Sequence, residues 1–459
     1  MKKWLMSLWV LFPSMGWASN EMGQTLGLYT TVPFIVLLLC IAIMPVFFED
    51  WWGNLKNQAT VVAICSIPIF IFFVINDYHQ LVHTGLEFIS FIIYVGGLFI
   101  VAGGIFLKGD ILATPRNNTL FLGLGAILAN LLGTTGASML LIRPLLTMNQ
   151  DRHHVIHIPI FFIFIVSNIA GSLTPLGDPP LFLGFLRGVP FEWTLKLFPQ
   201  WLFSIGILLT LFFIIDSVAY HRETREDLQK DQQHYIPLSI IGKRNFLLLG
   251  IILVSVILTK TFHNFYAALG LVEYADILAN LTRDGIILMT AIFSYFITPD
   301  EAHQSNEFTF HALEEVAVLF TGLFITMIPA LLILQSRGGE LGVSTPAQFF
   351  WYTGVLSSFL DNAPTYLSFT ALAQGVLGLQ GDLSGIIHHS AYGESLLIAI
   401  SLGAVFMGAN SYIGNAPNFM VKHITEKKGI KMPSFGGYLL WSGGILIPLF
   451  LVVTWVFLK

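Results

Sequence analysis

Apolar stretches of about 20 residues recur along almost the whole chain, and few charged residues lie between them. Of its 459 residues, 55% are hydrophobic and 11% are charged, whereas a soluble domain carries about 25% charged residues. A helix needs about 20 mostly apolar residues to cross a bilayer. The pattern therefore predicts an all-α polytopic membrane protein. The predicted spans are 26–48, 59–76, 86–107, 155–170 continuing into 181–186, 196–216, 245–261, 284–298, 312–334, 391–408 continuing into 418–424, and 436–458.

The first residues have the pattern of a secretory signal. Met1-Lys2-Lys3 is basic, residues 4–12 are apolar, and Gly16-Trp17-Ala18 resembles a cleavage site between small residues. We predict a signal peptide or an uncleaved N-terminal anchor over residues 1–19. Both alternatives place residue 20 outside the cytoplasm.

Two further apolar segments are interrupted near their middle. Residues 118–146 contain Gly133-Thr134-Thr135-Gly136, and residues 347–380 contain Asp361-Asn362-Ala363-Pro364. Each segment is long enough for two half-length helices, so we predict two re-entrant hairpins that do not cross the membrane. The role of residues 262–283 is left open, and an interfacial segment is one interpretation of them.

The distribution of lysine and arginine supports this topology. With residue 20 outside and each hairpin returning to its own side, most basic residues fall on the cytoplasmic side, as the positive-inside rule requires. The chain then divides into a first repeat (26–216), a solvated cytoplasmic linker (217–244) and a second repeat (245–458). Each repeat contains three spans, a hairpin, a broken span and a last span, and the two repeats have inverted topology.

Two segments within the broken spans carry the clearest internal similarity. Residues 171–180 read GSLTPLGDPP and residues 408–417 read GANSYIGNAP, and they align without a gap. The hairpin tips align more loosely, with 130–134 against 362–366. Gly and Pro interrupt the helical hydrogen bonds, and the freed backbone groups are tolerated in a membrane where they line a polar cavity. Broken helices in corresponding positions of two inverted halves therefore predict a binding site near the bilayer midplane.

Two carboxylates fall in these interrupted segments. An ionisable residue deep in a span costs roughly 2.5–3.5 kcal/mol on insertion scales, so Asp178 and Asp361 are functional candidates. Each could instead cap a helix, and both roles are compatible. Neutral oxygen donors around them suit a small cation such as Na⁺, or a proton, because two close carboxylates raise each other's proton affinity. The predicted donors are Asn130, Thr134, Thr135, Ser138, Asn168, Thr174, Asn362, Thr365, Asn410, Ser411 and Asn415.

Other polar residues have simpler interpretations. Arg143 could bind an anionic substrate or be a cytoplasmic charge at the membrane surface. His153, His154, His157, His388 and His389 are interpreted as solvated loop residues. The sequence contains no Walker motif, metal motif or nucleophile elbow, which argues against an enzyme or an ATP-driven pump. No long basic block indicates nucleic-acid binding.

The two hairpins and the motifs at 171–180 and 408–418 resemble the ion transporter superfamily. That superfamily includes NhaD-type sodium/proton antiporters, citrate-type (CitMHS-like) transporters, divalent anion/sodium symporters and arsenite permeases. Gly177-Asp178 is similar to the NhaD-type motif. The hairpin tips lack the Ser-Asn-Thr triplets of dicarboxylate carriers. The resemblance implies a homodimer in which a hairpin-bearing transport domain moves against a scaffold domain.

The sequence therefore favours a secondary transporter of the bacterial inner membrane that exchanges sodium or lithium for protons. Asp178 and Asp361 would bind the cation, and no cofactor is expected beyond the transported Na⁺ (or Li⁺) and H⁺. The alternative is a cation-coupled carrier of citrate or another dicarboxylate, in which Arg143 or helix N-termini bind the anion. A second class of function is a channel-like or non-transporting membrane protein.

Overall fold

A computed structural model describes residues 19–109, 111–224, 226 and 239–459. Within these residues nine helices are long and apolar enough to cross a membrane, or ten if one bent pair counts as a span. The prediction of an all-α polytopic membrane protein is confirmed. Residues 1–18 of the predicted signal or anchor and residues 225 and 227–238 of the predicted linker lie outside the described residues.

The first part of the chain contains nine helices and one strand among its described residues. They are α1 (Ser19–Thr25), α2 (Val32–Phe47), α3 (Glu49–Trp52), α4 (Leu55–Asn76), α5 (Tyr78–Gly103), β1 (Phe106–Lys108), α6 (Pro115–Met148), α7 (His157–Ile165), α8 (Pro179–Leu186) and α9 (Phe198–Tyr220). Short 3-10 turns at Leu28–Thr31, Ile169–Ser172 and Phe191–Leu197 extend α2, α7 and α9.

The second part contains one strand and eleven helices among its described residues. They are β2 (Ser239–Ile241), α10 (Arg244–Ile257), α11 (Thr259–Ala268), α12 (Ala275–Ile297), α13 (Asp300–Ser305), α14 (His311–Arg337), α15 (Pro346–Ser357), α16 (Asn362–Leu377), α17 (Ser384–His389), α18 (Ala391–Met407), α19 (Ala416–Lys427) and α20 (Phe435–Phe457). Short 3-10 turns lie at Val272–Tyr274, Gly338–Leu341 and Gly408–Asn410.

Helix α6 is the predicted first hairpin. A straight helix of 34 residues would be about 50 Å long, yet Asn118 near its start and Asn149 after its end exchange two hydrogen bonds of 2.9 Å. The reversal occurs at Gly133, whose φ of 72° and ψ of 156° are not helical. Residues with a Cβ rarely adopt a positive φ, so glycine is required at this turn. Helix α6 therefore folds back on itself.

Helices α15 and α16 form the predicted second hairpin. Phe349 and Phe369 are 20 residues apart in the chain, but their ring centroids are 6.4 Å apart. The chain reverses at Asp361, which lies between the two helices in a non-helical conformation. Pro364 lies in the first turn of α16, where a proline leaves no helical hydrogen bond unmade.

The two parts of the chain pack through their early helices. Helix α4 packs on α14, α5 packs on α12 and α14, and α10 packs on α5 and α12. These helices form one layer beside the hairpins and the broken helices, and α14 and α5 contact α16 and α6 respectively. The protein interior is apolar, and within the first layer it contains stacked rings such as Phe91 of α5 on Phe320 of α14.

Three local predictions are corrected. Residues 106–107 belong to β1 rather than to a helix, because α5 ends at Gly103, and Ser239–Ile241 of the linker pairs antiparallel with β1. Residues 262–283 are not one interfacial segment, since α12 already begins at Ala275. Arg283, predicted to lie outside the spans, is completely buried within α12, where Asp284 binds it with an Nη2–Oδ1 distance of 2.8 Å.

His157 is also not a solvated loop residue. It is buried at the start of α7, where its Nε2 lies 3.0 Å from Asp216 of α9. The same carboxylate accepts hydrogen bonds from Arg152 at 2.6 Å and from Asn118 at 2.9 Å. These contacts join the open end of the first hairpin to α9. The sequence prediction failed here because the partner carboxylate lies 59 residues away.

Candidate functional site

Asp178 lies at the centre of a buried polar cluster where the two hairpins and the two broken helices meet. Its side chain is 1% exposed. Three neutral side chains donate hydrogen bonds to its carboxylate: Thr134 at 2.6 Å, Asn362 at 2.5 Å and Asn415 at 3.2 Å. These donors come from the first hairpin tip, the second hairpin tip and the second broken span. One carboxylate therefore holds together elements from both predicted repeats.

The first hairpin tip is fixed to the first break, residues 171–178. Backbone N–H of Thr134 donates to the carbonyl of Gly177 at 2.7 Å. Asn130 accepts a hydrogen bond from the backbone N–H of Leu173 through its side chain and from the Thr174 hydroxyl through its carbonyl, at 2.9 and 2.5 Å. The predicted residues Asn130, Thr134 and Thr174 thus support the break that presents Asp178.

The second hairpin tip is fixed to the second break, residues 408–415, in a corresponding way. The Ser411 hydroxyl donates to the carbonyl of Ser358, and the Asn410 side chain donates to the Ser358 hydroxyl at 2.9 Å. Ser358 therefore corresponds to Asn130 of the first repeat. The sequence alignment instead paired Asn130 with Asn362, which lies four residues after Ser358. Four residues are about one helical turn, so both positions lie on the same helix face and the sequence pattern does not distinguish them.

Close backbone packing is another feature that the two breaks share. A Cβ on Gly177 would lie 2.1 Å from the carbonyl oxygen of Gly171, and a Cβ on Gly414 would lie 2.6 Å from that of Gly408. Only glycine fits at such distances. The paired glycines and the paired tip contacts support the internal repeat, whose inverted orientation in the membrane stays a prediction.

Asparagines form a chain from Asp178 into the second broken span. Asn415 also donates to the side-chain oxygen of Asn168 at 3.2 Å. Asn168 in turn donates to Asn418 at 2.7 Å, and Asn418 donates to the carbonyls of Gly408 and Ser411 at 2.8 and 2.9 Å. The freed backbone carbonyls of the break are thereby satisfied, as burial requires.

Asp361 lies beside this cluster rather than at its centre. Its carboxylate accepts a hydrogen bond of 2.9 Å from the backbone N–H of Ala363, so it caps the first turn of α16. It is close enough to Asp178 for the two carboxyl groups to interact electrostatically. The capping role weighed for Asp361 is observed, whereas Asp178 precedes α8 without a side-chain capping bond.

Three predicted donors take part neither in the hydrogen bonds to Asp178 nor in the contacts that hold the two breaks. Thr365 bonds back to the carbonyl of Asp361 at 2.9 Å, and Ser138 pairs with Ser167 at 2.8 Å. Among the hydrogen bonds of the described residues, the Thr135 side chain has none.

Three contributors to the cluster were not predicted. Asn418 had a signal, since it is a polar residue that follows Pro417 inside an apolar half-span. Ser358 and Tyr94 had none, because single hydroxyl residues in apolar helices are common. Tyr94 donates from α5 to the carbonyl of Leu176 at 2.8 Å and stacks on Phe182 with centroids 3.5 Å apart.

The chemistry of the cluster is that of a buried acid among neutral oxygen and amide groups. The buried side-chain oxygen of Asn410 accepts no hydrogen bond from any described residue, so its lone pairs are open to a cation. Groups of three or more His, Cys, Asp or Glu side chains able to hold a metal ion are absent from the described part of the chain. The arrangement can hold a proton or a weakly bound cation.

A basic cavity opens beside the same helices. It has a volume of about 540 Å³ and lies between the returning half of α6, the segment before α14, and α19. Arg143, Lys427 and Lys428 line it together with His311, His423 and a single acid, Glu307. The sequence prediction named Arg143 as a candidate for binding an anion, and the structure places it in this cavity rather than at Asp178.

A protein-family model described as "Putative citrate transport" matches residues 23–458, nearly the whole chain. No curated protein is similar enough to the chain to count as a match.

Proposed function

The chain belongs to this citrate-transport family of secondary transporters, and from that premise we propose that it carries citrate, or a chemically similar di- or tricarboxylate, together with a coupling cation. The observation that carries this proposal is the contact of Asp178 with donors from both hairpin tips and the second break. Alternating access requires the hairpin tips and the broken spans to move apart. A cation or proton that neutralises Asp178 changes the hydrogen bonds that join these elements, and binding is thereby coupled to their movement.

The coupling cation would bind at Asp178 and Asp361. Both lie at interrupted helices, where freed carbonyls and polar side chains coordinate ions in transporters of this general design. Asn410, with its open side-chain oxygen, adds a neutral ligand near the second tip. Asn130, Asn168, Thr174, Asn362, Ser411 and Asn415 would hold the breaks in place around the ion.

The carboxylate substrate is supported by the family description and by the charge of the basic cavity. Three side chains that are cationic at neutral pH line it against one carboxylate. A trivalent anion gains from such an excess of positive charge. Lys427 and Lys428 are exposed, and Arg143, at 15% exposure, is the partly desolvated cation.

Sodium (or lithium)/proton exchange is the second candidate. It is favoured by the neutral character of every side chain that donates to Asp178. A carboxylate that binds either a cation or a proton exchanges the two without an anion site. The homodimer and the bacterial inner membrane that the resemblance implies are also proposals, and the mass of the detergent-solubilised complex tests the dimer.

Transport in proteoliposomes tests these proposals. Uptake of labelled citrate would be measured with imposed sodium or proton gradients, and proton flux would be followed with a pH dye after adding sodium, lithium or potassium without citrate. The variants are Asp178→Asn and Asp361→Asn, with Glu340→Gln on the exposed surface as the matched control.

The outcomes separate the candidates. Cation-dependent citrate uptake that is lost in both aspartate variants and kept in the control supports the carboxylate carrier. Proton flux driven by sodium or lithium alone, lost in both aspartate variants and kept in the control, would instead support sodium (or lithium)/proton exchange. Citrate uptake that is unchanged in both variants would contradict the proposed cation site.

A further inference from the structure

The basic cavity is lined by the returning half of α6, the segment before α14, and α19, and both α19 and that half of α6 lead away from the Asp178 cluster. Met139 and Arg143 are five and nine residues beyond Thr134 on the returning half of α6, and Met420 and Lys427 are five and twelve residues beyond Asn415 on α19. At 1.5 Å per residue along the helix axes, the lining begins roughly 7 Å beyond the cluster and reaches Arg143 on α6 and the end of α19 at Lys427. The cavity therefore lies between the cluster and the Lys427 end of α19.

The size and lining of the cavity suit a small organic anion. Its volume of about 540 Å³ lies within the range of about 300–1,000 Å³ that is typical of small-molecule sites. Phe99, Met139 and Ile424 supply apolar walls, and the basic side chains lie at one end. Apolar walls with a few convergent charges are the usual composition of such sites.

The guanidinium group of Arg143 lacks a hydrogen-bond acceptor for one of its nitrogens. Its side chain is only 15% exposed, and its Nη1 atom is buried without a hydrogen-bond partner among the described residues. The nearest carboxylate is that of Glu307, 3.6 Å from Nη2. A guanidinium binds a carboxylate best through two parallel hydrogen bonds, and this pair does not make them.

Glu307 occupies the basic end of the cavity. Lys427 donates to both of its carboxylate oxygens at 2.8 Å. Glu307 has a φ of 50°, and it is the one described non-glycine residue with a positive φ. A residue with a Cβ adopts such a conformation only at an energetic cost, and here it follows α13 and places the carboxylate against the cations of α6 and α19.

We propose that the basic cavity binds a di- or tricarboxylate through Arg143 and Lys427, and that Glu307 occupies the position of one ligand carboxylate when the cavity is empty. The identity of the ligand rests on the proposed function. The arriving anion displaces Glu307, completes the hydrogen bonds of Arg143 and releases the segment before α14 from α6 and α19. Glu307 is thus an internal competitor that sets the affinity.

Binding to the purified full chain in detergent tests this proposal. Calorimetry would titrate citrate, with acetate and sulfate as comparison anions. We expect Arg143→Gln and Lys427→Gln each to weaken citrate binding about tenfold or more, and Glu307→Gln to strengthen it several-fold, because charge-assisted bonds are lost or a competitor is removed. Arg143→Lys, which keeps the charge, should recover only part of the affinity.

The matched controls are Lys108→Gln and Glu301→Gln. These residues form an exposed pair with a distance of 3.0 Å and lie outside the cavity, so each should change citrate affinity by less than about twofold. Size-exclusion profiles identify any variant that fails to fold. If the cation variants fail, Glu307→Gln still tests the proposal, because it is expected to strengthen citrate binding and misfolding would not do so.

Four outcomes would overturn the proposal. They are unchanged citrate affinity in Glu307→Gln, unchanged affinity in both cation variants, sulfate binding as tight as citrate, and displacement of citrate by phosphatidylglycerol, which would assign the cavity to a lipid headgroup. Citrate binding of this pattern without citrate transport would instead contradict the proposed function. Transport without this binding pattern would contradict only the present inference.

Discussion

The side chain of Asn415, in the second break, donates a hydrogen bond of 3.2 Å to the carboxylate of Asp178, in the first break. The two residues occupy aligned positions of the two internal segments, 237 residues apart. A charged residue in one half therefore meets its neutral counterpart from the other half. Any motion that separates the two broken spans must break this bond, so the charge of Asp178 is coupled to the contact between the halves.

Removing single donors to Asp178 should impair transport without abolishing folding. A hydrogen bond to a charged group contributes about 1.5–3 kcal/mol, so Asn362→Ala and Asn415→Ala should each lower the transport rate roughly 10- to 100-fold. Flux in proteoliposomes measures the effect. Asn76→Ala, at an exposed helix end, is the matched control, and wild-type rates in both site variants would contradict the assignment of the cluster.

The close packing within the first break makes a sharp prediction for Gly177→Ala. The added Cβ would lie 2.1 Å from the carbonyl oxygen of Gly171, so the break must open and move Asp178. We expect loss of transport and a lower melting temperature. Gly206→Ala in α9 is the control, because a Cβ there meets nothing within 4 Å and a helical alanine is more stable than glycine by roughly 0.5–1 kcal/mol.

The buried pair of Arg152 and Asp216 should be important for stability. Asp216→Asn removes the charge that Arg152 binds at 2.6 Å in a completely buried position. Removing one partner of a buried pair costs about 3–5 kcal/mol when the other is left uncompensated. Here the carboxylate of Glu223, 3.8 Å from Arg152 Nε, offsets part of that cost. Thermal unfolding in detergent should show a clear loss of stability. The control is Asp276→Asn, whose side chain is 86% exposed, and equal melting temperatures of the two variants would argue against this role.

The contact of Glu307 with Lys427 predicts a dependence on pH. Hydrogen bonds from Lys427 hold the pKa of Glu307 below its ordinary value. A lowered pKa in the folded state means that the stabilisation is present above the ordinary glutamate pKa and is lost as the pH falls through the lowered value.

The test compares melting temperatures of wild type and Glu307→Gln across this range. Arg143, Lys427, Lys428, His311 and His423 line the same cavity in both proteins, so Glu307 is the one titratable group by which the two proteins differ. The difference should be largest near neutral pH and should disappear in acid. A difference that does not vary with pH would show that Glu307 is not held as an anion.

The predicted inverted topology can be tested by labelling. The first hairpin should open to the cytoplasm and the second to the outside. Single cysteines at Gln150 and Gln380, both exposed, would be introduced after replacing Cys40 and Cys65. An impermeant maleimide applied to intact cells should label position 380 and spare position 150 until the membrane is opened. Labelling of both positions in intact cells would contradict the inversion.

The interrupted segments could be predicted from the sequence because their signal is local. Gly133, the paired glycines 171 and 177, and the polar residues of GSLTPLGDPP and GANSYIGNAP cannot continue an apolar helix. Asp178 was identifiable for the same reason, since a carboxylate in an apolar region is costly wherever it packs. Hydropathy alone predicted most of the long helices, although α12 begins at Ala275, earlier than predicted.

The contacts that give these residues their roles came only from the tertiary structure. Ser358 meets Asn410 across 52 residues, His157 meets Asp216 across 59, and Lys427 meets Glu307 across 120. Helical periodicity relates residues three or four positions apart, so it does not predict any of these pairs. The sequence thus determined where the chain must leave the helix and carry charge. Interrupted helical hydrogen bonds and a carboxylate in an apolar region are unfavourable at each residue, whatever packs against it. The packing of distant helices decided which donors surround Asp178 and which acid faces Arg143, because those partners meet only when the whole fold has formed.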